Sequence, residues 1–289
     1  MTFAPRCGGT STNKSYGNSS PYCYRAGPFR LVADSFEYNR GIRFGQVPRN
    51  AAHAVQRSES LTFHFSVATE PKLPLLALGE VKVTAAYDDR HHSMLPPAEP
   101  EDNGNGFRFR GGRRFYSSSY GGLNRIMGTQ VTLVRPSVES RQARSIKGTV
   151  VTTLLVEQKP EIIITDVLKS KGKMIKTSKT TWDMQDVADA GNQSYRFKMS
   201  ISDNHFSTNS TPGMTDSLHQ RIELQDAKGR KYQIRGSSWS SSSNTEVTVE
   251  FTFGDPGNGP LGPPAKLVYY TWVTMQHPVA FEFQDVPLP

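Results

Sequence analysis

The sequence predicts an all-β protein of two antiparallel β-sandwich domains, and three observations carry that prediction. Apolar residues alternate with polar ones wherever the chain turns hydrophobic, as half-buried strands require. Such runs recur at spacings of roughly 8–12 residues, divided by Gly, Pro, Asn and Ser clusters, which is the cadence of antiparallel sandwiches with long Gly/Pro/Ser-rich loops. Long amphipathic helical patterns are missing, so doubly wound and TIM-barrel folds are excluded. The 289 residues exceed the usual single-domain size of roughly 100–150, which favours two domains over one. No stretch approaches the roughly 18–20 apolar residues of a membrane helix.

The first clear strand holds Leu61, Phe63, Phe65 and Val67 on one face and Thr62, His64 and Ser66 on the other. Val81 and Val83 flank Lys82, Val131 and Leu133 follow, and a long run from Thr149 to Val156 precedes Ile162 to Ile164. Tyr195, Phe197 and Met199 alternate with Arg196 and Lys198. Ile222 and Leu224 lead into Asp226-Ala227-Lys228-Gly229 and then Tyr232 and Ile234. That stretch reads as a hairpin, because Gly229 supplies the positive φ of a tight turn. Val247, Val249, Phe251 and Phe253 give another strand, and Leu267 to Val273 and Val279 to Phe283 complete the set. Helix signals are weak: Asp183 to Asp189 reads equally as a strand between turns, and 51–60 is a lesser candidate.

Three segments are expected. Residues 1–27 form a polar leader with two cysteines, 28–160 a basic domain and 161–289 a near-neutral one, with the boundary at Gln158-Lys159-Pro160. Residues 1–160 carry 21 Lys and Arg against 12 Asp and Glu, while 161–289 carry 13 against 14, so the net charge of +8 belongs to the first half. Cys7 and Cys23 both lie in the leader. A bridge between them would restrain a segment too polar to order itself, and free thiols are the alternative. The first thirty residues lack the apolar core of a secretory signal, which leaves the compartment open.

Gly122-Leu123-Asn124, the run from Glu157 to Ile163, the phrase from Arg221 to Arg230 and the ending from Phe281 to Pro289 resemble uncharacterised bacterial exported proteins built from immunoglobulin-like β-sandwich domains. The resemblance covers roughly residues 60–289. It implies two antiparallel immunoglobulin-like sandwiches and an extracytoplasmic or cell-surface location, and it brings no catalytic residues with it.

Several clusters have chemistry of their own. Asp88, Asp89, His91 and His92 combine carboxylates and imidazoles suited to zinc or a metal-assisted hydrolase, although consecutive residues at a strand exit project to both faces and an exposed polar turn is the plainer reading. Glu99, Glu101, Asp102, Asn103 and Asn105 offer oxygens for calcium without EF-hand spacing, the alternative being a solvated loop. No other cofactor is indicated. Arg108, Arg110, Arg113 and Arg114, interleaved with Phe107, Phe109 and Phe115, suit a polyanion such as nucleic acid or acidic polysaccharide; a hairpin with outward arginines is the alternative. Trp182, Trp239 and Trp272 make a sugar platform only if they share a face, and otherwise fill a core.

No G-x-S-x-G elbow occurs, and Gly254-Asp255-Pro256-Gly257 leads into a strand rather than a helix, so nucleophilic and phosphate-cradle chemistry lack their signatures. The expectation is a non-enzymatic structural or interaction module, with a homo-oligomer or protein partner. Leu267 to Val273 is apolar on both faces, which requires either a central strand or cover from another subunit.

Overall fold

The computed structural model describes residues 20–44, 55–97, 125–177, 180–203, 214–242, 246–257, 259 and 261–289. The protein is nearly all β, with several antiparallel sheets. No helix among these residues is long and apolar enough to cross a membrane.

One sheet runs in the order β1-β2-β3-β5, from β1 (Cys23–Ala26), β2 (Phe29–Phe44), β3 (Val55–Thr69) and β5 (Ile126–Leu133). A second has the order β11-β12-β9-β8-β7, from β7 (Met174–Lys176), β8 (Thr180–Gly191), β9 (Ser194–Asp203), β11 (Gln233–Ser242) and β12 (Glu246–Gly254). The third has the order β10-β13-β6-β4, from β4 (Leu75–Asp88), β6 (Gln142–Thr165), β10 (Ile222–Asp226) and β13 (Pro264–Pro287). The strand that is apolar on both faces is therefore central: Leu267, Val268 and Tyr269 are buried, and β13 has neighbours on both sides.

Two compact units emerge. Unit 1 comprises the described residues up to Leu154, together with Gln276–Pro289; unit 2 comprises Leu155–Met275. The expected boundary at Gln158 to Pro160 lies inside β6, a single strand of 24 residues. Alternation resumes beyond Pro160 with Ile162 and Ile164 inward, so the proline interrupts the apolar pattern without ending the strand. β13, also 24 residues, likewise has residues in both units. Unit 1 buries Leu31, Phe63 and Phe65 from its first sheet with Ile146, Val150, Phe281 and Phe283 from β6 and β13. Unit 2 buries Trp182, Phe197, Phe251 and Phe253 with Ile162, Ile164, Leu267 and Tyr269.

The two units repeat one plan, and the irregularities show it best. The β2·β3 ladder skips a residue between Ala33 and Ser35, opposite Phe65 and His64; the β8·β9 ladder skips one between Met184 and Asp186, opposite Met199 and Lys198. Two residues beyond Phe65 and Met199 stand Phe63, paired with Val131 of β5, and Phe197, paired with Phe251 of β12. β4 and β10 cross to the third sheet, and each has a register shift just before its terminal aspartate: Tyr87/Asp88 against β6 and Gln225/Asp226 against β13. Finally, Ile162 and Ile164 precede Asp166 at φ 48° and buried Val167, as Phe281 and Phe283 precede Asp285 at φ 51° and buried Val286.

Two local expectations are corrected. Ile222 to Ile234 is not an extended hairpin: past the single bridge Gln225↔Lys231 the chain changes sheets, and β11 pairs with β12. The helix α1 (Met214–Arg221) had no clear sequence signal; it is short and places Leu218 in the unit 2 core. Asp183 to Asp189 lies within β8.

Candidate functional site

The end of β4 builds the most chemically elaborate turn of unit 1. Asp88 is fully buried. Its Oδ1 accepts the backbone N–H groups of Arg90 at 3.0 Å and His92 at 2.7 Å, and its Oδ2 accepts the Ser140 hydroxyl at 2.6 Å and lies 3.1 Å from His92 Nδ1. Burial works against the ionised form, but the donors from Ser140, His92 and Arg90 outweigh it and hold the carboxyl below its ordinary value. The charge at the turn is thus consumed by the fold.

Unit 2 repeats the device. Asp226, also buried, accepts Lys228 N–H and Arg230 N–H at 2.9 Å each through Oδ1, and the Arg230 Nε–H at 2.8 Å and Gly262 N–H at 3.2 Å through Oδ2. Against the cost of burial, the N–H groups of Arg230, Gly262 and Lys228 and the guanidinium of Arg230 bring its carboxyl down to about 2. The backbones agree too: the Asp88 N–H reaches His92 O at 3.0 Å, as the Asp226 N–H reaches Arg230 O. The fourth residue is left-handed in both, His91 at φ 66° and Gly229 at φ 78°.

Of the four residues expected as a metal cluster, the structure brings Asp88 and His92 together and sends Asp89 and His91 to separate grooves. Among the described residues no three His, Cys, Asp or Glu side chains converge as a metal site. Glu101 and Asp102, with the rest of the calcium loop, and Arg108, Arg110, Arg113 and Arg114 lie outside the described residues, as does Cys7. Cys23 opens β1 and is not a free thiol.

The groove beside His91 has a volume of about 560 Å³ and is lined by Tyr87, His91, Arg144, Lys147, Glu282 and Asp285, with Ser145 and Gln284 between them. Lys147 Nζ stands 3.1 Å from Glu282 Oε1. Tyr87 exposes 46% of its surface although its neighbours Ala86 and Asp88 are buried. The Ser145 hydroxyl is buried with no partner among the described residues. A second groove, of about 820 Å³, holds Asp89, Arg90, Glu139 and Arg141, and there the Arg90 guanidinium pairs with Glu139 at 2.5 Å. Sequence reasoning found His91 and Asp89 but missed Tyr87, Arg144, Lys147 and Glu282. The only available signal was charge on strands that also carry core residues: Arg144 and Lys147 bracket buried Ile146, and Glu282 sits between Phe281 and Phe283.

The three tryptophans share no platform. Trp182 is buried in the core, Trp272 lies under the Arg221 guanidinium, 4.4 Å from the ring centre, and Trp239 is 41% exposed on β11. Comparison of the chain with protein-family models, with curated proteins and with solved structures returned no match.

Proposed function

We propose that the chain is a non-enzymatic, extracytoplasmic protein of two immunoglobulin-like β-sandwich modules, and that it serves as a structural or interaction module by associating with a second copy of itself. Two cores, each filled from two sheets, support the sandwich reading. The engaged state of Asp88 and Asp226 supports a structural use of the buried acids, and the non-free Cys23 supports an oxidising compartment.

The observation that carries self-association is the edge formed by β11. This strand pairs only with β12 among the described residues, and Arg235 to Ser240 are all exposed. From Gly236 to Ser242 it has no charged residue and no proline, two of the devices by which soluble proteins guard an open edge; a bulge between Trp239 and Ser241 is its one local irregularity there. A charge-free edge is self-complementary: antiparallel pairing of two copies would bring serines and Trp239 together without like-charge repulsion, as in strand addition.

Light scattering on the full chain across a concentration series tests the reading. Wild type is expected to dimerise, and the double variant Ser238→Lys/Ser240→Lys to remain monomeric with an unchanged circular dichroism spectrum. A wild type that stays monomeric, or a double variant that dimerises equally well, would reject it.

A further inference from the structure

We propose that the unit 1 groove formed by Tyr87, His91, Arg144, Lys147, Glu282 and Asp285 is a binding site for an acidic saccharide of the uronic acid class. The inference is independent of self-association, since every residue named belongs to unit 1 and β11 belongs to unit 2.

The internal repeat separates what the fold requires from what it does not. At the register shift before each buried aspartate the skipped residue is Arg144 in unit 1 and Ala265 in unit 2. By the same registers Tyr87 corresponds to Gln225 and Lys147 to Val268. Counting back from the left-handed aspartates, Glu282 corresponds to Ile163, while Asp285 corresponds to Asp166. His91 corresponds to Gly229 at the fourth position of the aspartate turn. Unit 2 therefore builds the same strands, shifts and turn with Gln, Gly, Ala, Val and Ile where unit 1 carries Tyr, His, Arg, Lys and Glu.

The strain at His91 points the same way. A left-handed backbone suits glycine, and an ordinary side chain there is held against its preference. Since Gly229 makes the equivalent turn without that strain, architecture alone does not call for the imidazole, and its position in the groove supplies a reason for it.

The chemistry then selects the ligand. Tyr87 presents an exposed ring on which the C–H face of a pyranose can stack. Arg144 makes no ion pair among the described residues, and its planar fork matches a sugar carboxylate in two-point contact. Glu282 Oε1 already takes Lys147 and the Gln284 amide, which leaves its Oε2 and the Asp285 carboxylate to accept hydrogen bonds from sugar hydroxyl groups. A neutral sugar leaves Arg144 uncompensated, and a simple anion leaves Tyr87 and Asp285 without a role.

The experiment is calorimetric titration of the full chain with tri-galacturonate and, in parallel, with the neutral galactose trisaccharide. Wild type is expected to bind the acidic probe at least ten-fold more tightly. Arg144→Ala and His91→Gly install residues that the sister unit already tolerates at these positions, so both are expected to fold. Each is expected to lower affinity for the acidic probe at least ten-fold at an unchanged circular dichroism spectrum. No binding of tri-galacturonate, equal binding of both probes, or full affinity in the two folded variants would each overturn the assignment.

Discussion

Gly148 is where the packing of unit 1 can be tested most sharply. It sits on β6 opposite Val83 of β4, beneath the Phe281 ring. A methyl carbon added there would lie 2.7 Å from Phe281 Cζ and 3.1 Å from Val83 Cα, and closer still to the Lys82 carbonyl oxygen. Ordinary carbon contacts fall near 3.5–4.0 Å, so the two strands would have to part by roughly 0.5–1 Å. Two of the three obstructing atoms are backbone on a paired strand and cannot rotate aside. Overpacking of this kind costs about 1–3 kcal/mol. At roughly 2–4 °C per kcal/mol for a cooperative block of this size, Gly148→Ala should lower the melting temperature by about 2–12 °C. Gly128→Ala is the control: it lies on β5 with nothing within 4 Å of the added carbon, and replacing a strand glycine should be neutral or stabilising by up to about 1 kcal/mol. Thermal melts followed by circular dichroism would compare the two, and coincident curves would refute the reasoning.

Phe63 and Phe251 are both fully buried, and the Phe63 ring lies 4.8 Å from Phe36 and 5.2 Å from Phe283. Phe63→Ala and Phe251→Ala should each cost about 3–5 kcal/mol in urea titration, and an unchanged midpoint in either would show that its face is misassigned. Because the Asp226 carboxyl is held down to about 2 from 3.8, its contribution to stability is full above the ordinary carboxylate value and is lost as pH falls towards 2. Melting temperature should drop across that window, and Asp226→Asn should flatten the drop while lowering stability at neutral pH. An acid limb as steep in the variant as in wild type would count against the clamp. Far-UV circular dichroism should give a β spectrum, and a helix content near the globular average of roughly 30–35% would contradict the architecture.

Strands were legible because burial on one face writes a period of two directly into the residues: Leu61 to Val67 and Val247 to Phe253 alternate in the sequence and in burial alike. Sheet order was not legible, since the same alternation serves any partner; Ile234 continues the pattern of Ile222 and Leu224 yet belongs to a different sheet. The aspartate turns misled for a related reason. Asp88 beside His91 and His92 has the composition of a metal site, and only the folded turn reveals that the Arg90 and His92 N–H groups and the Ser140 hydroxyl already occupy its oxygens. The repeat is nearly silent in sequence because what the two units share is ladder irregularity, which many side chains accommodate; between Leu61 to Val67 and Tyr195 to Ile201 only phenylalanine and serine coincide. The groove was hidden most deeply, since Tyr87, Arg144 and Glu282 come from three strands distant in sequence.

The passage of the final strand into unit 1 also dictates the order in which the chain can mature on a ribosome. Phe281 and Phe283 pack against Phe65 and Phe63 at 5.1 and 5.2 Å, so β3 of unit 1 waits for a strand synthesised after the described residues of unit 2. At roughly 5–20 residues per second that wait is on the order of 10–40 s, far longer than the microseconds in which hairpins form. The described residues of unit 2 all lie between Leu155 and Met275, so they have been synthesised while unit 1 still lacks Phe281 and Phe283. The usual N-to-C succession of domain folding is thereby reversed, and throughout the interval the phenylalanine face of β3 is the surface that nascent-chain chaperones would have to shield.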